Sequence, residues 1–274
     1  MILEPTRPGG IVAHIGANEN GGRDFVVGDL HGCYDQFLAA LVAIKFNIFK
    51  DRVFSVGDLI DRGKQNVQCL NLIYEPWFFS VRANHEDLMI QAMIDDNRSA
   101  VSCWYGNGGS WVTAESEDEM YGIALDLARL PYIIAVGEGE KRFNVVHAEI
   151  RLNDEGYRAI PVTDKLIDEH DWTERDREGL VWGRTLIYMD DSKIHKTHYH
   201  HPTEMSITFC GHTPLPSAER VQKQIYLDTG LVFTASGYGK LTIAEPNAGL
   251  IHEWNKLTDE LFTTALEDVH FSKS

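Results

Sequence analysis

Cysteine is scarce in this chain, and its spacing fits no metal-binding or redox motif. The four cysteines are Cys33, Cys69, Cys103 and Cys210, and no two of them form a Cys-x-x-Cys pair. This spacing argues against a zinc ribbon, a thioredoxin-like site and a disulfide-stapled scaffold. We therefore expect reduced thiols that are mostly buried.

Long hydrophobic runs are also absent. Apolar runs such as Tyr132–Val136 are far shorter than the ~20 residues that a membrane-spanning helix needs. The segment Met1–His14 contains no apolar run of signal-peptide length. We therefore expect a cytoplasmic protein that has no membrane partner.

Positive charge is in short supply as well. The chain has 25 lysines and arginines against 41 aspartates and glutamates, which gives a formal net charge of −16. A negative field of this size repels nucleic acid, so we expect no nucleic-acid partner. The same field would repel a phosphorylated ligand, so any phosphate site must be made locally positive by metal ions or arginines.

Aromatic and aliphatic residues, by contrast, are plentiful. Hydrophobic residues make up 43% of the 274-residue chain, which is enough for a sizeable core in one large domain or two small ones. Residues 1–22 are rich in glycine, proline and polar residues, and we expect them to form a loose N-terminal leader.

From residue 24 onward, the pattern alternates between strands and helices. Predicted strands over Asp24–Val27, Arg52–Val56 and Phe78–Val81 are separated by predicted helices over Gln36–Phe46 and Asn66–Tyr74. A further helix is expected over Glu86–Ile94. This alternation is typical of a parallel α/β sheet with helices between its strands.

The second half of the chain has a different pattern. Residues 99–130 are expected to be helical, with a turn at Gly106–Gly109. The short apolar segments beyond them predict a second, largely antiparallel sheet packed on the first. These segments are Tyr132–Val136, Arg142–Val146, Ile207–Cys210, Gln224–Leu227 and Leu241–Ala244.

Two segments late in the chain have a distinctive composition. Residues 186–206 are polar and rich in histidine, and we expect a loop whose His195, His198, His200 and His201 border a cleft or bind an extra metal. In Lys256–Phe271, apolar residues recur on one helical face, which predicts a surface helix. Residues 251–274 are thus expected to form a C-terminal helical tail.

Polar motifs stand directly after five predicted strands. They are Gly28-Asp29-Leu30-His31-Gly32, Gly57-Asp58-Leu59-Ile60-Asp61-Arg62-Gly63, Arg82-Ala83-Asn84-His85-Glu86, His147-Ala148 and Gly211-His212-Thr213. Because ligands of open α/β sheets bind beyond the carboxyl ends of strands, these motifs can converge on one pocket. The candidate metal ligands that they supply are Asp29, His31, Asp58, Asn84, His147 and His212.

The chemistry of these six side chains favours a pair of metal ions. Mixed oxygen and imidazole ligands suit manganese, iron or zinc better than calcium or magnesium. Six ligands exceed what one tetrahedral ion needs, whereas two ions about 3.5–4 Å apart with a bridging carboxylate would use them all.

Each signal taken alone has a simpler explanation. Asp29 and Asp58 follow glycines at strand ends, where aspartate is common in turns. His147 and His212 could be histidines of the core. The occurrence of all of these residues directly after strands is what favours a metal site.

The motifs together resemble those of the phosphoprotein phosphatase branch of the calcineurin-like metallophosphoesterases. Within that branch the chain is most similar to the bacteriophage lambda protein phosphatase and its bacterial relatives, over roughly residues 24–245. Further segments carry the resemblance. They are Pro76-Trp77-Phe78, Asn107-Gly108-Gly109-Ser110-Trp111, Leu130-Pro131-Tyr132-Ile133-Ile134 and Tyr226-Leu227-Asp228-Thr229-Gly230.

The resemblance implies a fold and a division of the chain. The fold is an α/β metallophosphoesterase β-sandwich, in which two mixed sheets are flanked by helices in a four-layer αββα arrangement. Residues 23–250 would form the catalytic domain.

The resemblance also implies roles for individual residues. Asp29 and His31 would bind the first metal, Asp58 would bridge both metals, and Asn84, His147 and His212 would complete the second site. His85 would act as a general acid that Asp61 orients. Arg62 and Arg184, the latter within Trp182-Gly183-Arg184, would hold the phosphate oxygens.

The activity expected from these roles is that of a metal-dependent protein phosphatase. It would hydrolyse phosphoserine and phosphothreonine, and possible further substrates are phosphotyrosine and phosphorylated small molecules. The nucleophile would be a hydroxide that bridges two divalent ions, which we expect to be Mn²⁺, with Fe or Zn as alternatives. Two other functions stay open: a symmetrical dinucleoside tetraphosphate hydrolase, and a non-catalytic binding module with a phosphatase fold.

Overall fold

The computed structural model describes residues 10–95, 97–153, 160–188 and 205–269 of the chain. Within these ranges the strands, numbered in chain order, are β1 (Val12–Ile15), β2 (Asp24–Val27), β3 (Arg52–Ser55), β4 (Phe78–Ser80), β5 (Ile133–Val136), β6 (Phe143–Val146), β7 (Ile207–Cys210), β8 (Glu219–Val221), β9 (Gln224–Tyr226), β10 (Lys240–Glu245), β11 (Leu250–Asn255) and β12 (Glu260–Ala265). The α-helices are α1 (Tyr34–Ala43), α2 (Asn66–Asn71), α3 (Asn84–Met93), α4 (Arg98–Gly106), α5 (Glu117–Leu127), α6 (Asp164–Glu169) and α7 (Glu174–Trp182).

The described strands form two six-stranded sheets. The first has the order β12-β11-β10-β2-β3-β4, in which β2, β3 and β4 are parallel and the remaining neighbours are antiparallel. The second has the order β1-β5-β6-β7-β9-β8, with parallel pairs β1–β5, β6–β7 and β7–β9 and antiparallel pairs β5–β6 and β8–β9. Both sheets are therefore mixed.

Three apolar cores separate four layers of structure. Because side chains alternate along a strand, Phe25 and Val27 of β2 face the helices beside the first sheet, and Val26 faces the second sheet. In β6, Val145 lies between the sheets and Val146 packs into the core beneath α6 and α7. The layers therefore run helices, sheet, sheet, helices, which confirms the expected αββα sandwich.

The predicted helical tail is wrong. Instead of a helix over Lys256–Phe271, the chain forms the hairpin β11–β12, which extends the edge of the first sheet. Its turn includes Asp259 at φ 56°. Residues 251–265 are therefore continuous with the sheet that residues 23–250 begin, and they do not form a separate tail.

The predictions for the N-terminus and the second sheet also need correction. Within the expected loose leader 1–22, residues Val12–Ile15 form β1, which pairs in parallel with β5. The second sheet is not largely antiparallel, since three of its five strand pairs are parallel. The predicted strand Leu241–Ala244 lies in β10 of the first sheet.

Two further predictions concern the histidine-rich loop and membrane-spanning helices. The histidine-rich stretch of loop 186–206, with His195, His198, His200 and His201, lies outside the described residues. In the parts of the chain that are described, no helix combines the length and the apolar character needed to cross a membrane.

Candidate metal centre

The pocket forms where the parallel strands of both sheets end. Asp29 follows β2, Asp58 follows β3, and Asn84 is the first residue of α3, just after β4. In the second sheet, His147 follows β6 directly, and His212 lies two residues beyond β7. Neighbouring parallel strands bring their carboxyl ends to one edge, so these side chains converge.

Hydrogen bonds across the sandwich join the two edges at this pocket. The backbone N–H of His212 donates to both carboxylate oxygens of Asp29, at 3.2 and 3.1 Å. His147 Nδ1 lies 2.8 Å from the carbonyl oxygen of Val56. The contact is so close that a Cβ atom at Gly211 would lie 2.0 Å from Asp29 Oδ1. The pocket is therefore built jointly by both sheets.

One group of donor atoms gathers around Asn84. Its Oδ1 lies 2.7 Å from His147 Nε2 and 3.1 Å from His212 Nδ1, and His147 Nε2 is 3.5 Å from Asp58 Oδ1. Burial lowers the pKa of both histidines, to about 2 for His212, so both imidazoles are neutral. Because its Nδ1–H donates to the carbonyl oxygen of Val56, His147 directs the lone pair of Nε2 toward Asn84 Oδ1 and Asp58 Oδ1.

A second group gathers on the other side of Asp58. His31 Nε2 lies 3.4 Å from Asp58 Oδ2, and His31 Nδ1 lies 2.7 Å from the carbonyl oxygen of Ile60, which fixes the ring. Burial lowers the pKa of His31 to about 3. Asp58 thus lies between the imidazoles of both groups, where its carboxylate can serve as a ligand shared by two ions.

Negative charge is concentrated at this pocket. Asp29, Asp58 and Asp228 are all buried, at 2% exposure each. Burial raises the pKa of Asp29, and the carboxylates of Asp228 and Asp58 raise it further. Buried carboxylates facing imidazole lone pairs repel one another unless a cation lies among them, so the donor set fits divalent metal ions.

The predicted acid and its partner lie beside these donors. His85 is fully buried, and its Nδ1 lies 2.5 Å from Asp61 Oδ2. Burial alone would lower the pKa of His85, but the carboxylates of Asp58 and Asp61 outweigh it and raise that pKa. His85 Nε2 is also 3.9 Å from Asp58 Oδ2, so distance alone makes it a further candidate ligand.

Two guanidinium groups flank the pocket. Arg62 contacts His31 Nε2, and its Nη2 lies 3.0 Å from His85 Nε2. Arg184 donates from Nε to Thr213 Oγ1 and from Nη2 to the carbonyl oxygen of His212, both at 3.3 Å. The structure therefore brings all ten sequence-predicted site residues to one place.

The loops that carry these side chains are strained. Among the described residues, eight that are not glycine have a positive φ, and five of them belong to the site. These five are His31, Asp58, Asp61, Arg62 and His212. Because positive φ is costly for such residues, surrounding contacts must hold the loops in place.

Two buried glutamates, which were not among the predicted site residues, hold the backbone at the site. Glu86 accepts hydrogen bonds from the backbone N–H groups of Asp58 and Leu59, at 3.1 and 2.9 Å. Glu149 accepts from the backbone N–H groups of Thr185 and Leu186, at 3.1 and 2.8 Å, next to Arg184. Each glutamate lies within two residues after a site histidine, and this position in the sequence could have identified both.

Comparison with known proteins agrees with this geometry. Residues 25–230 match the family model of the calcineurin-like phosphoesterases. The chain is 32% identical over 212 residues to serine/threonine-protein phosphatase 2 of Salmonella typhimurium, covering 75% of this chain and 86% of that protein. Similarity to bacterial relatives is thereby confirmed, and particular closeness to the phage lambda enzyme stays a prediction.

Two further likenesses bear on the fold and on the alternative substrate. A serine/threonine phosphatase structure from Saccharomyces cerevisiae superposes with a TM-score of 0.58 at 15% identity, covering 94% of this chain and 83% of that one. A symmetrical bis(5'-nucleosyl)-tetraphosphatase of Wigglesworthia glossinidia brevipalpis is 41% identical, but only over 64 residues, 23% of this chain and 24% of that protein. The family match covers well over half of the sequence, and the chain belongs to the calcineurin-like phosphoesterase family.

Proposed function

We propose that this chain is a metal-dependent protein phosphatase that hydrolyses phosphate monoesters of serine and threonine. The observation that carries the proposal is the convergence of six buried metal-type donors with two arginines in one pocket. The similarity to a bacterial serine/threonine-protein phosphatase over most of both chains supports the choice of substrate.

We assign the metal ligands to the two groups that share Asp58. Asp29 and His31 would hold one ion, Asn84, His147 and His212 would hold the other, and Asp58 would contact both. When bound, the two ions would supply Lewis acidity that activates a water molecule and offsets charge on the phosphoryl group. Manganese is the ion that we expect, because the donor set mixes carboxylate, amide and imidazole groups.

The arginines would orient the substrate. A guanidinium group donates parallel hydrogen bonds to phosphate oxygens, and both Arg62 and Arg184 border the donors. They also supply positive charge at the pocket of a chain whose formal net charge is −16, which would attract a dianionic phosphate there.

His85 would protonate the leaving oxygen as the phosphoryl group passes directly to water. Its Nδ1 is held by Asp61, so Nε2 is the atom left to donate a proton. Arg62 Nη2 lies 3.0 Å from that same Nε2, which would bring a bound phosphate next to the acid. The Asp61 carboxylate beside Nδ1 raises the pKa of His85, which favours the protonated form that an acid needs.

The test is a substrate panel combined with metal removal. Chelation with EDTA should abolish hydrolysis of a phosphoserine peptide and of 4-nitrophenyl phosphate, and Mn²⁺ should restore it better than Fe²⁺ or Zn²⁺. Turnover that survives exhaustive chelation would contradict the proposal, as would a metal-loaded protein that hydrolyses nothing, the outcome expected of a binding module.

The same panel separates the two candidate substrate classes. We expect kcat/KM for phosphoserine and phosphothreonine peptides to exceed that for diadenosine tetraphosphate by about tenfold or more. Phosphotyrosine peptides and phosphorylated small molecules belong in the panel as further candidates. A preference for diadenosine tetraphosphate would instead favour the tetraphosphatase function.

Location in the cytoplasm stays a prediction from the sequence.

A further inference from the structure

Asp61 is held by an unusual set of hydrogen bonds. Its side chain is fully buried, and its carboxylate contacts the ring nitrogens of three side chains. His85 Nδ1 and Trp104 Nε1 lie 2.5 and 2.9 Å from Oδ2, and Trp111 Nε1 lies 2.6 Å from Oδ1. Each carboxylate oxygen therefore accepts from a tryptophan, and one also faces the imidazole.

The two tryptophans come from a part of the chain that the reaction does not otherwise use. Trp104 lies in α4, Trp111 lies in the adjoining 3-10 segment Gly109–Ala114, and they stand 43 and 50 residues from Asp61. Their rings meet edge to face, with centroids 6.4 Å apart and an interplanar angle of 86°.

A glycine allows this arrangement to form. At Gly109 a Cβ atom would lie 2.3 Å from Trp104 Nε1, so any side chain there would collide with the indole beside its hydrogen bond. The chain between the two tryptophans is thus packed against the donor atom itself. Such packing fixes the direction in which the Trp104 N–H points.

Packing alone does not explain why both rings are indoles. A phenylalanine is also aromatic and apolar and would fill part of the same space, but it has no N–H to donate. A buried carboxylate without donors is unstable in its charged form, and neutral N–H donors stabilise that charge without cancelling it. An arginine in their place would add a positive charge that competes with a protonated His85 for the same carboxylate.

We propose that Trp104 and Trp111 are positioning residues for hydrolysis, which hold the Asp61 carboxylate in the orientation that fixes the His85 ring. They act on proton delivery to the leaving group and do not touch the substrate. The inference rests on the proposed function, because it takes His85 as the proton donor.

The test compares two aryl phosphates that differ in their need for an acid. Phenyl phosphate releases a basic phenolate that benefits from protonation, whereas 4-nitrophenyl phosphate releases a stabilised phenolate that does not. In a Trp104→Phe, Trp111→Phe double variant, kcat on phenyl phosphate should fall about tenfold or more, with a much smaller change on 4-nitrophenyl phosphate. Each single variant should show a smaller loss with the same selectivity.

A matched control comes from the first sheet. Trp254 in β11 is also buried, and its Nε1 donates to the carboxylate of Asp259 at 2.9 Å. Trp254→Phe removes the same kind of hydrogen bond outside the site, so kcat on both substrates should stay unchanged. Equal losses on both substrates in the Trp104 and Trp111 variants would overturn the proposal.

A double-mutant cycle with His85 separates this proposal from the proposed function. If the tryptophans act through the imidazole, their substitution should cost nothing more in a His85→Asn background. An additive loss in that background would overturn the inference. Should His85→Asn itself show no selectivity for phenyl phosphate, the role of His85 in the proposed function would fail first.

A spectroscopic readout tests the contacts without any turnover. The six tryptophans give six indole N–H signals in a proton–nitrogen spectrum, and the three Trp→Phe variants assign those of Trp104, Trp111 and Trp254. Asp61→Asn should shift the signals of Trp104 and Trp111 and leave that of Trp254 in place. Unmoved signals would show that the indoles do not donate to Asp61.

Each Phe variant is also compared with wild type by thermal unfolding, and the double-mutant cycle is measured well below the lowest Tm.

Discussion

Asp58→Asn is expected to abolish hydrolysis and to prevent the pocket from holding a pair of metal ions. Asp58 reaches His31 with one oxygen, at 3.4 Å, and His147 with the other, at 3.5 Å. An amide removes the negative charge and turns one of these acceptors into a donor. Substitutions of groups that merely orient ligands cost about 10–100-fold in metal affinity, so the loss of the shared ligand should exceed that range.

The backbone tolerates this substitution, which keeps the experiment interpretable. Asp58 lies at φ 50°, a conformation that asparagine adopts readily, and Glu86 holds its N–H. The matched control is Asp24→Asn, since Asp24 is equally buried but pairs with Arg52 at the start of β2. Metal content and kcat should collapse in the first variant and persist in the second. Normal metal content in Asp58→Asn would contradict the bridging role.

His85→Asn is expected to cut turnover on a phosphoserine peptide by about 10²–10⁴-fold, the usual contribution of a general acid. Metal content should stay near that of the wild type, because we assign His85 to the leaving group. The effect should be large because His85 is fully buried, so water does not readily take its place as the proton donor.

The metal content of the His85→Asn variant distinguishes an acid from a metal ligand. His85 Nε2 lies 3.9 Å from Asp58 Oδ2, near enough for a ligand. Loss of one ion from the His85→Asn variant would therefore make His85 a ligand and contradict its role as acid. His252→Asn is the control, because His252 is a buried histidine that contacts Thr263 in the β11–β12 hairpin.

Local patterns in the sequence were enough to predict the strands that carry the site. Asp24–Val27 and Ile207–Cys210 were predicted with the bounds that the structure has. Both are largely buried on both faces and are followed by a glycine, so their apolar composition and the residue that ends them indicate the same bounds. Because the candidate ligands follow such strands directly, their convergence was predictable once the strands were assumed to be parallel and neighbouring.

Features fixed by the pairing of one segment with another were not predictable in the same way. The apolar residues of Lys256–Phe271 recur at helical spacing, yet Leu257 and Phe262 are 68% and 58% exposed. Pairing with β11, which a local pattern does not encode, decides that this segment is a strand. The direction of pairing in the second sheet depends on such contacts too, for example that of β1 with β5.

The supporting contacts of the site show the same limit. Trp104 and Trp111 reach Asp61 across 43 and 50 residues, so nothing near Asp61 in the sequence indicates them. Glu86 is different, since it adjoins His85 and could have been considered from its position alone. The sequence thus indicates the groups that meet ligands more readily than the groups that hold them.

Anomalous diffraction from a crystal soaked in Mn²⁺ tests the central claim most directly. The account predicts two peaks about 3.5–4 Å apart, one beside Asp29 and His31 and one beside Asn84, His147 and His212, with Asp58 contacting both. A single peak, or manganese bound away from these six side chains, would contradict the two-metal site and the hydrolytic function built on it.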